Sequence, residues 1–429
     1  MKDLAPEAPS GTPHVPVVIV GGGQAGLSLA HCLREEGIDS IVFERHRAFH
    51  SWRENRWDSF CLVTPNWQCR LPGYSYADHG GSDPDGFMLK DEIVAYLDAF
   101  AARTAPDLRE GVEVTRVAPD GEGWRVETSA GTWTCGQVAI CTGGYDTPIE
   151  PDYAKALSPE IFQMHSVDYR RPAQFPDGGV LIVGTGQSGV QLMEDFVRAG
   201  RPVHLAVGPA PRSPRKYRGR DATDWLHDAG HYAMTIDRHP DPVKAQTQTN
   251  HYMSGRDGGK EIDLRRWHLD HGVELYGSLA GMEGTRATFL PDLAKNLDDA
   301  DASYLGIRAQ IDAFIAREGI EAPEEPPFEK LWAPEAERTE LDLAAAGVTS
   351  VLWAIGFRPD WSWIEAPVFD PRGRPLHHRG ETAARGLHFL GLGWLNTWGS
   401  GRFLGIEEDS RWLAARIAAQ MAGAPALAR

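Results

Sequence analysis

The sequence lacks paired cysteines, long apolar runs and an excess of positive charge. Its five cysteines form no CxxC or CxxxxC pair, which indicates reduced thiols and disfavours a disulfide reductase, because that chemistry needs a redox-active dithiol. No apolar run approaches the roughly 20 residues that span a bilayer, and a basic, apolar leader is missing. The formal net charge of −17 argues against nucleic acid and anionic membranes as partners. We therefore expect a cytoplasmic protein.

Two glycine-rich loops are the most informative motifs, and each lies between a short apolar run and a helical pattern. The first glycine loop spans residues 21–26 and the second spans residues 184–189. Such loops let backbone N–H groups meet a pyrophosphate at a helix N-terminus. One loop is weak evidence, but two predict two dinucleotides that exchange a hydride. The expected contacts are Gly21, Gly23, Gln24, Ala25 and Gly26 in the first loop and Gly184, Gly186, Gln187, Ser188 and Gly189 in the second.

The residues that follow each loop indicate which dinucleotide it binds. Glu44 ends the second strand of the first unit, where an acid accepts hydrogen bonds from the ribose of an adenosine dinucleotide such as FAD. No acid follows the corresponding strand at residues 202–207. The cations Arg215, Lys216 and Arg218 come instead, which favours the 2′-phosphate of NADPH over NADH. The alternative is an ordinary basic surface loop.

These motifs resemble those of the class B flavin-dependent monooxygenases, and most closely the bacterial flavoproteins encoded in nitrilase gene clusters. The resemblance covers nearly the whole chain, including residues 51–66, 141–145, 165–169, 353–360 and 405–409. It implies that NADPH reduces FAD and that a C4a-peroxyflavin then transfers one atom of molecular oxygen to a small organic substrate.

The resemblance also implies site residues outside the loops. His165 and Tyr169 keep the spacing of a hallmark between the two domains, where His165 would couple the domains or be an ordinary structural histidine. Asn66 would contact the flavin edge or be only a turn residue, and these three are the catalytic candidates. Asp409 would contact the flavin or only favour the helix dipole. The other expected cofactor contacts are Arg45, Trp52, Arg53, Thr64, Val117, Thr142, Gly143 and Gly356.

The pattern predicts an α/β fold with two Rossmann-like domains, a glutathione-reductase-like FAD domain and an inserted NADPH domain. We expect a flexible tail (1–14), the first part of the FAD domain (15–165), the NADPH domain with an additional substrate-side segment (166–345), and the returning FAD domain with a C-terminal helix (346–429). Residues 221–345 carry no recognisable motif, and a homodimer is compatible with such folds.

Departures from the family pattern leave two other functions open. Pro159 and Ile161 stand where the hallmark has Phe and Gly, and Ile355 replaces a Thr. The same fold could serve an NADPH-dependent flavin reductase or oxidase without oxygen transfer, or a non-catalytic FAD- and NADPH-sensing protein. His227 and His231 lack the flanking pattern of a zinc site, so no metal is predicted.

Overall fold

The computed structural model describes residues 11–247 and 249–425, so most of the expected tail lies outside the described residues. The strands are β1 (His14–Val20), β2 (Ser40–Glu44), β3 (Arg70–Leu71), β4 (Tyr74–Ser75), β5 (Leu108–Glu110), β6 (Val114–Asp120), β7 (Gly123–Thr128), β8 (Gly131–Ile140), β9 (Thr147–Pro148), β10 (Phe162–His165), β11 (Gly179–Val183), β12 (Val203–Ala206), β13 (Lys216–Tyr217), β14 (Arg220–Asp221), β15 (Glu274–Tyr276), β16 (Leu279–Glu283), β17 (Arg286–Phe289), β18 (Glu340–Asp342), β19 (Val348–Trp353), β20 (Phe357–Arg358) and β21 (Leu387–Phe389). The helices are α1 (Gln24–Glu35), α2 (His50–Arg53), α3 (Lys90–Thr104), α4 (Gln187–Arg198), α5 (Ala222–Asp228), α6 (Pro242–Thr247), α7 (Leu264–His271), α8 (Leu293–Glu318) and α9 (Ile406–Met421).

The first sheet has the order β5-β2-β1-β8-β7-β6, with β21 beside β8. Its centre is parallel, since β1 pairs with both β2 and β8 in that sense, and the last four residues of β1 are buried. A strand buried on both faces reads as a continuous apolar run. Helices α1 and α9 pack together on this sheet through Leu27, Leu413 and Ile417. The first glycine loop therefore emerges from a rigid, central strand.

The second sheet is fully parallel, with the order β10-β19-β11-β12-β15. Strand β19 lies between β10 and β11, pairing Val351 with Gln163 on one side and with Leu181 on the other. Strands β10 and β19 thus both complete the second sheet, whereas the boundaries expected at 165/166 and 345/346, which stay a prediction, assign them to the FAD domain. The α/β fold with two dinucleotide-type units is confirmed.

A two-stranded antiparallel ribbon connects the two sheets. Strand β9 enters the second unit and β20 leaves it, and the two pair through Thr147 with Arg358 and Pro148 with Phe357. Gly356, at φ +88°, accepts a hydrogen bond from the Ile149 N–H at 3.0 Å. The second unit is thus inserted into the first at a single place.

The segment without a recognisable motif builds part of the second unit. Helix α8 is its longest element and ends at Gly319 with φ +65°, a left-handed conformation that terminates helices. Ile311 and Phe314 of α8 pack on Tyr217 and Trp225. Within 11–247 and 249–425, none of the helices combines the length and apolar character needed to cross a bilayer.

Candidate functional site

The first glycine loop forms a tight turn that only glycine allows. Gly21 has φ +109°, and a Cβ built on Gly26 would lie 1.9 Å from the Gly21 carbonyl oxygen. The Gly21 N–H donates to the Phe43 carbonyl at 2.8 Å, which holds the turn against β2. Because no side chain fills this turn, the backbone N–H groups at the N-terminus of α1 stay accessible. This is the arrangement that accepts a pyrophosphate.

The second glycine loop repeats this geometry. Gly184 has φ +102°, and a Cβ on Gly189 would again lie 1.9 Å from the carbonyl oxygen of Gly184. The side-chain amide of Gln187 donates to the Met253 carbonyl at 2.7 Å and accepts from the Met253 N–H at 3.2 Å, while Ser188 is exposed. The structure therefore contains two dinucleotide cradles of the same design.

A cavity of about 430 Å³ opens beside the first glycine loop. The expected contacts that line it are Gly21, Gly23, Gln24, Ala25, Glu44, Arg45, Trp52, Thr142 and Gly143. Asn55, Arg56, Tyr145 and Trp361 also line it and were not predicted, because no spacing rule singles them out. The cavity extends along the residues that the sequence assigned to FAD, so these residues fit that cofactor.

Glu44 lies where the ribose-binding acid was predicted. Its two carboxylate oxygens accept hydrogen bonds from the backbone N–H groups of Gly22 at 2.7 Å and His46 at 2.8 Å. These bonds orient the carboxylate at the cavity wall, and each oxygen retains a further lone pair for a hydroxyl group.

A chain of hydrogen bonds joins three distant segments at the cavity. The Trp52 indole donates to the Gln24 side-chain oxygen at 2.9 Å, and the Gln24 amide donates to the Gly401 carbonyl at 3.2 Å. Trp52 also stacks on Phe403 with ring centroids 5.4 Å apart. This chain fixes α2, α1 and the loop before α9 against each other, so the wall of the cavity is preorganised.

Arg53, Thr64 and Val117 are among the expected cofactor contacts that do not line this cavity. Arg53 donates to the Ala48 carbonyl at 2.9 Å and pairs with Asp98. Val117 is fully buried and donates its N–H to the backbone of Trp363. Thr64 is half-buried and is not among the residues that line the cavity in the described chain. The geometry therefore does not support direct contacts from Arg53, Thr64 or Val117.

The Asn66 side chain is buried and hydrogen-bonded to backbone groups. Its side-chain oxygen accepts from the Met88 N–H at 2.8 Å, and its side-chain nitrogen donates to the Asp83 carbonyl at 3.0 Å. Only 3% of the residue is exposed. Both ends of the amide are therefore used to fix a turn, which favours the turn-residue alternative.

His165 lies beside the β9–β20 ribbon, 5.1 Å from the Phe357 ring, and Tyr169 lies within the second unit. One ring nitrogen of His165 lies 3.3 Å from the Gly356 carbonyl and the other accepts from the Val167 N–H, while burial lowers the pKa of the imidazole. The Tyr169 hydroxyl donates to Asp195 at 2.6 Å, and burial followed by this contact raises its pKa. Neither residue lines the cavity, so the geometry does not support proton transfer from either residue to a substrate, and the coupling role of His165 stays a prediction.

Asp409 lies in the first turn of α9. Desolvation raises the pKa of this carboxyl to about 6, and the Ser400 hydroxyl and Arg379 act in the opposite direction. Its Oδ2 atom is buried without a hydrogen-bond partner in the described chain. An unpaired buried oxygen is costly, but Asp409 is not among the residues that line the cavity in the described chain, so its contact with the flavin stays a prediction.

The cations expected at the 2′-phosphate have other partners. Arg215 is 1% exposed and its Nε lies 2.7 Å from Asp221, and Arg218 pairs with Asp312 at 2.9 Å. Lys216 is exposed and makes no ion pair with the described residues. The geometry therefore does not support Arg215 or Arg218 as free phosphate ligands. Metal-binding groups of three His, Cys, Asp or Glu side chains do not occur in 11–247 or 249–425.

Comparisons with known proteins extend these observations. Residues 18–227 match the family described as pyridine nucleotide-disulphide oxidoreductase. An uncharacterized CzcO-like oxidoreductase from Geobacillus kaustophilus is 29% identical over 402 residues, covering 93% of this chain and 97% of the relative. An indole-3-pyruvate monooxygenase from Oryza sativa is 32% identical over 194 residues, 44% of this chain and 47% of the plant protein.

A solved structure shares the fold over nearly the entire chain. The flavin-containing monooxygenase from Stenotrophomonas maltophilia superposes with a TM-score of 0.64 at 21% identity, covering 96% of this chain and 100% of that protein. This likeness agrees with the two dinucleotide cradles described above. The chain is therefore an enzyme, a flavin-dependent oxidoreductase with FAD and NADPH as its cofactors.

Proposed function

We propose that the enzyme is an NADPH-dependent monooxygenase that transfers one atom of molecular oxygen to a small organic substrate. The observation that carries this proposal is the pair of dinucleotide cradles combined with the state of the cysteines. All five are free and buried, and burial raises the pKa of every thiol, for example to about 11 at Cys61. Such thiols stay protonated at neutral pH and are poor nucleophiles, which argues against disulfide reduction.

The roles of the residues follow from their positions. When bound, FAD supplies the hydride acceptor and the site of oxygen activation. The first glycine loop and the start of α1 would hold its pyrophosphate, and Glu44 would accept hydrogen bonds from its ribose. The second glycine loop would hold NADPH in the same way, and of the three predicted cations Lys216 is the one left for the 2′-phosphate.

Aromatic rings pack behind part of the cavity wall and would limit the access of water to a bound flavin. Trp52 contacts Phe403 and Phe60 with ring centroids 5.4 and 6.1 Å apart. A dry site matters for oxygen transfer, because water hydrolyses or diverts reactive oxygen species before they meet a substrate. The names of the plant and Stenotrophomonas proteins, both monooxygenases, support the same reaction type. The link to nitrilase gene clusters stays a prediction.

A stopped-flow experiment distinguishes the candidate functions. The FAD-loaded protein is reduced with NADPH without oxygen and then mixed with aerated buffer. We expect a transient near-ultraviolet absorbance before the oxidised flavin spectrum returns. Immediate reoxidation with stoichiometric hydrogen peroxide would identify a reductase or oxidase, and absence of reduction by NADPH would favour a sensor.

A further inference from the structure

Residues 59–63 of the first unit form a short extended segment that is bonded along both of its edges. On one edge, Cys61 forms an antiparallel bridge with Leu89, and the Leu62 N–H donates to the Met88 carbonyl at 2.9 Å. Antiparallel pairing turns the carbonyl groups of every second residue toward the opposite edge. The segment is buried or half-buried, so these carbonyl groups need donors from the protein.

Side chains of the second unit supply these donors, and each donates to one backbone carbonyl. The three pairs, with their nitrogen–oxygen distances, are Arg256 with Ser59 (2.9 Å), Gln191 with Cys61 (3.1 Å) and Arg215 with Val63 (2.5 Å). The acceptors are two residues apart, which is the repeat of an extended strand. A Cβ on Gly255 would lie 1.7 Å from the Leu62 carbonyl oxygen, so the two backbones are also in direct contact. The second unit is therefore docked in register along this edge.

Two polar residues of this contact lie on one face of α4. Gln191 and Asp195 are one helical turn apart and are 4% and 7% exposed. One oxygen of Asp195 accepts from the Ser59 hydroxyl at 2.6 Å and from Arg256 at 2.8 Å. The other oxygen accepts from the Tyr169 hydroxyl at 2.6 Å. A buried carboxylate is costly unless its oxygens are paired, and these three donors pair both of them, so this face of α4 is fixed against the first unit.

The contact joins the parts of the chain that would hold the two cofactors. Helix α4 begins at Gln187, inside the second glycine loop. Residues 59–63 closely follow Asn55 and Arg56, which line the cavity beside the first glycine loop. Hydride transfer needs donor and acceptor atoms about 3–3.5 Å apart, and a misplacement of about 1 Å can cost about 100-fold in rate. The position of α4 relative to residues 59–63 therefore bears directly on flavin reduction.

We propose that Gln191 and Asp195 are positioning residues for flavin reduction, because they hold the NADPH cradle at the start of α4 at a fixed distance from the flavin side of the first unit. In this reaction the C4–H bond of the nicotinamide breaks, and its hydrogen and electron pair pass to N5 of the flavin, so that NADPH is oxidised to NADP⁺ and the flavin is reduced. Both residues act through α4 and residues 59–63, without touching a cofactor. The proposal concerns flavin reduction and does not depend on oxygen transfer.

The test compares Gln191→Leu and Asp195→Asn with the native protein, each loaded with FAD. Stopped-flow mixing with increasing NADPH in the absence of oxygen gives the limiting rate of flavin reduction and the Kd for NADPH separately. We expect the limiting rate to fall at least tenfold in each variant while the Kd changes less than threefold. The long-wavelength charge-transfer absorbance of the nicotinamide against the flavin should weaken in the same variants, because it depends on the separation of the two rings.

Gln137→Leu is the matched control, since Gln137 is also 4% exposed but lies within the first sheet, where its side-chain oxygen is 2.8 Å from a ring nitrogen of His388. This variant should lower the melting temperature about as much as Gln191→Leu and leave the limiting rate within twofold of the native value. Ser59→Ala removes one donor to Asp195 with little change in volume. It should lower the limiting rate about threefold, and it serves as the test if Asp195→Asn does not fold.

An unchanged limiting rate in the variants would overturn the proposal, whether or not the Kd for NADPH rises. An equal loss of rate in Gln137→Leu would also overturn it, because the effect would then be general destabilisation. If NADPH does not reduce the native protein at all, both this proposal and the proposed function are refuted. Normal reduction followed by immediate reoxidation to hydrogen peroxide would refute the proposed oxygen transfer alone.

Discussion

Replacing Gly189 by alanine tests whether the second glycine loop binds NADPH. The added Cβ would lie 1.9 Å from the Gly184 carbonyl oxygen, whereas contacts under 3.0 Å essentially never occur. Either the loop or the start of α4 must therefore move by about 1 Å, and overpacking of this kind costs about 1–3 kcal/mol. Since 1.4 kcal/mol corresponds to a tenfold change, the Kd for NADPH should rise about 5- to 150-fold.

The assay is the rate of anaerobic flavin reduction as a function of NADPH concentration. The FAD content should stay unchanged, because the first glycine loop is untouched. Gly306→Ala is the control, since a Cβ at that position in α8 meets no atom within 4 Å. An unchanged NADPH Kd in Gly189→Ala would refute the assignment of this loop.

Three further variants test other parts of the site. Glu44→Gln should weaken FAD binding about tenfold in a fluorescence titration of the apoprotein, because the amide NH₂ cannot accept from a backbone N–H, and unchanged affinity would contradict the ribose role. Burial raises the pKa of Asp409 to about 6 from the ordinary 3.8. The stability that the protonated Asp409 carboxyl contributes to the folded protein is therefore complete below pH 3.8 and is lost as the pH rises through 6. Asp409→Asn should therefore gain up to about 3 kcal/mol in free energy of unfolding over the native apoprotein between pH 4 and 6, and parallel pH profiles would contradict this. Arg215→Gln should lower the melting temperature, since it leaves the half-buried carboxylate of Asp221 without its cation, at a cost of up to about 3 kcal/mol; a changed NADPH:NADH ratio at unchanged stability would instead support the phosphate role.

The sequence was sufficient for features that depend on local spacing. The two glycine loops, their flanking strands and helices, and Glu44 are all defined within about 25 residues of chain, and periodicity and turn chemistry act over that range. The structure places Gly21, Gly23, Gln24, Ala25 and Glu44 at the cavity wall, and the second glycine loop repeats the turn of the first.

Features that depend on distant pairing could not be read in this way. The partner of Arg218 is Asp312, on a different element, and the bonds of Asn66 go to Asp83 and Met88. Strand β19 joins the second sheet although it follows the predicted boundary, because parallel pairing brings together residues far apart in sequence. Arg56 lines the cavity without forming an ion pair to a carboxylate of the described residues, and only the folded chain shows this.

The ribbon of β9 and β20 has a consequence for how this enzyme could be varied. Strands paired in antiparallel lie about 5 Å apart, so residues 149–356 begin and end at neighbouring points. A gene fragment for these residues could therefore be exchanged as one cassette between related enzymes. Recombination at this ribbon would exchange the second glycine loop with its sheet, while the first glycine loop and its cavity come from the recipient enzyme.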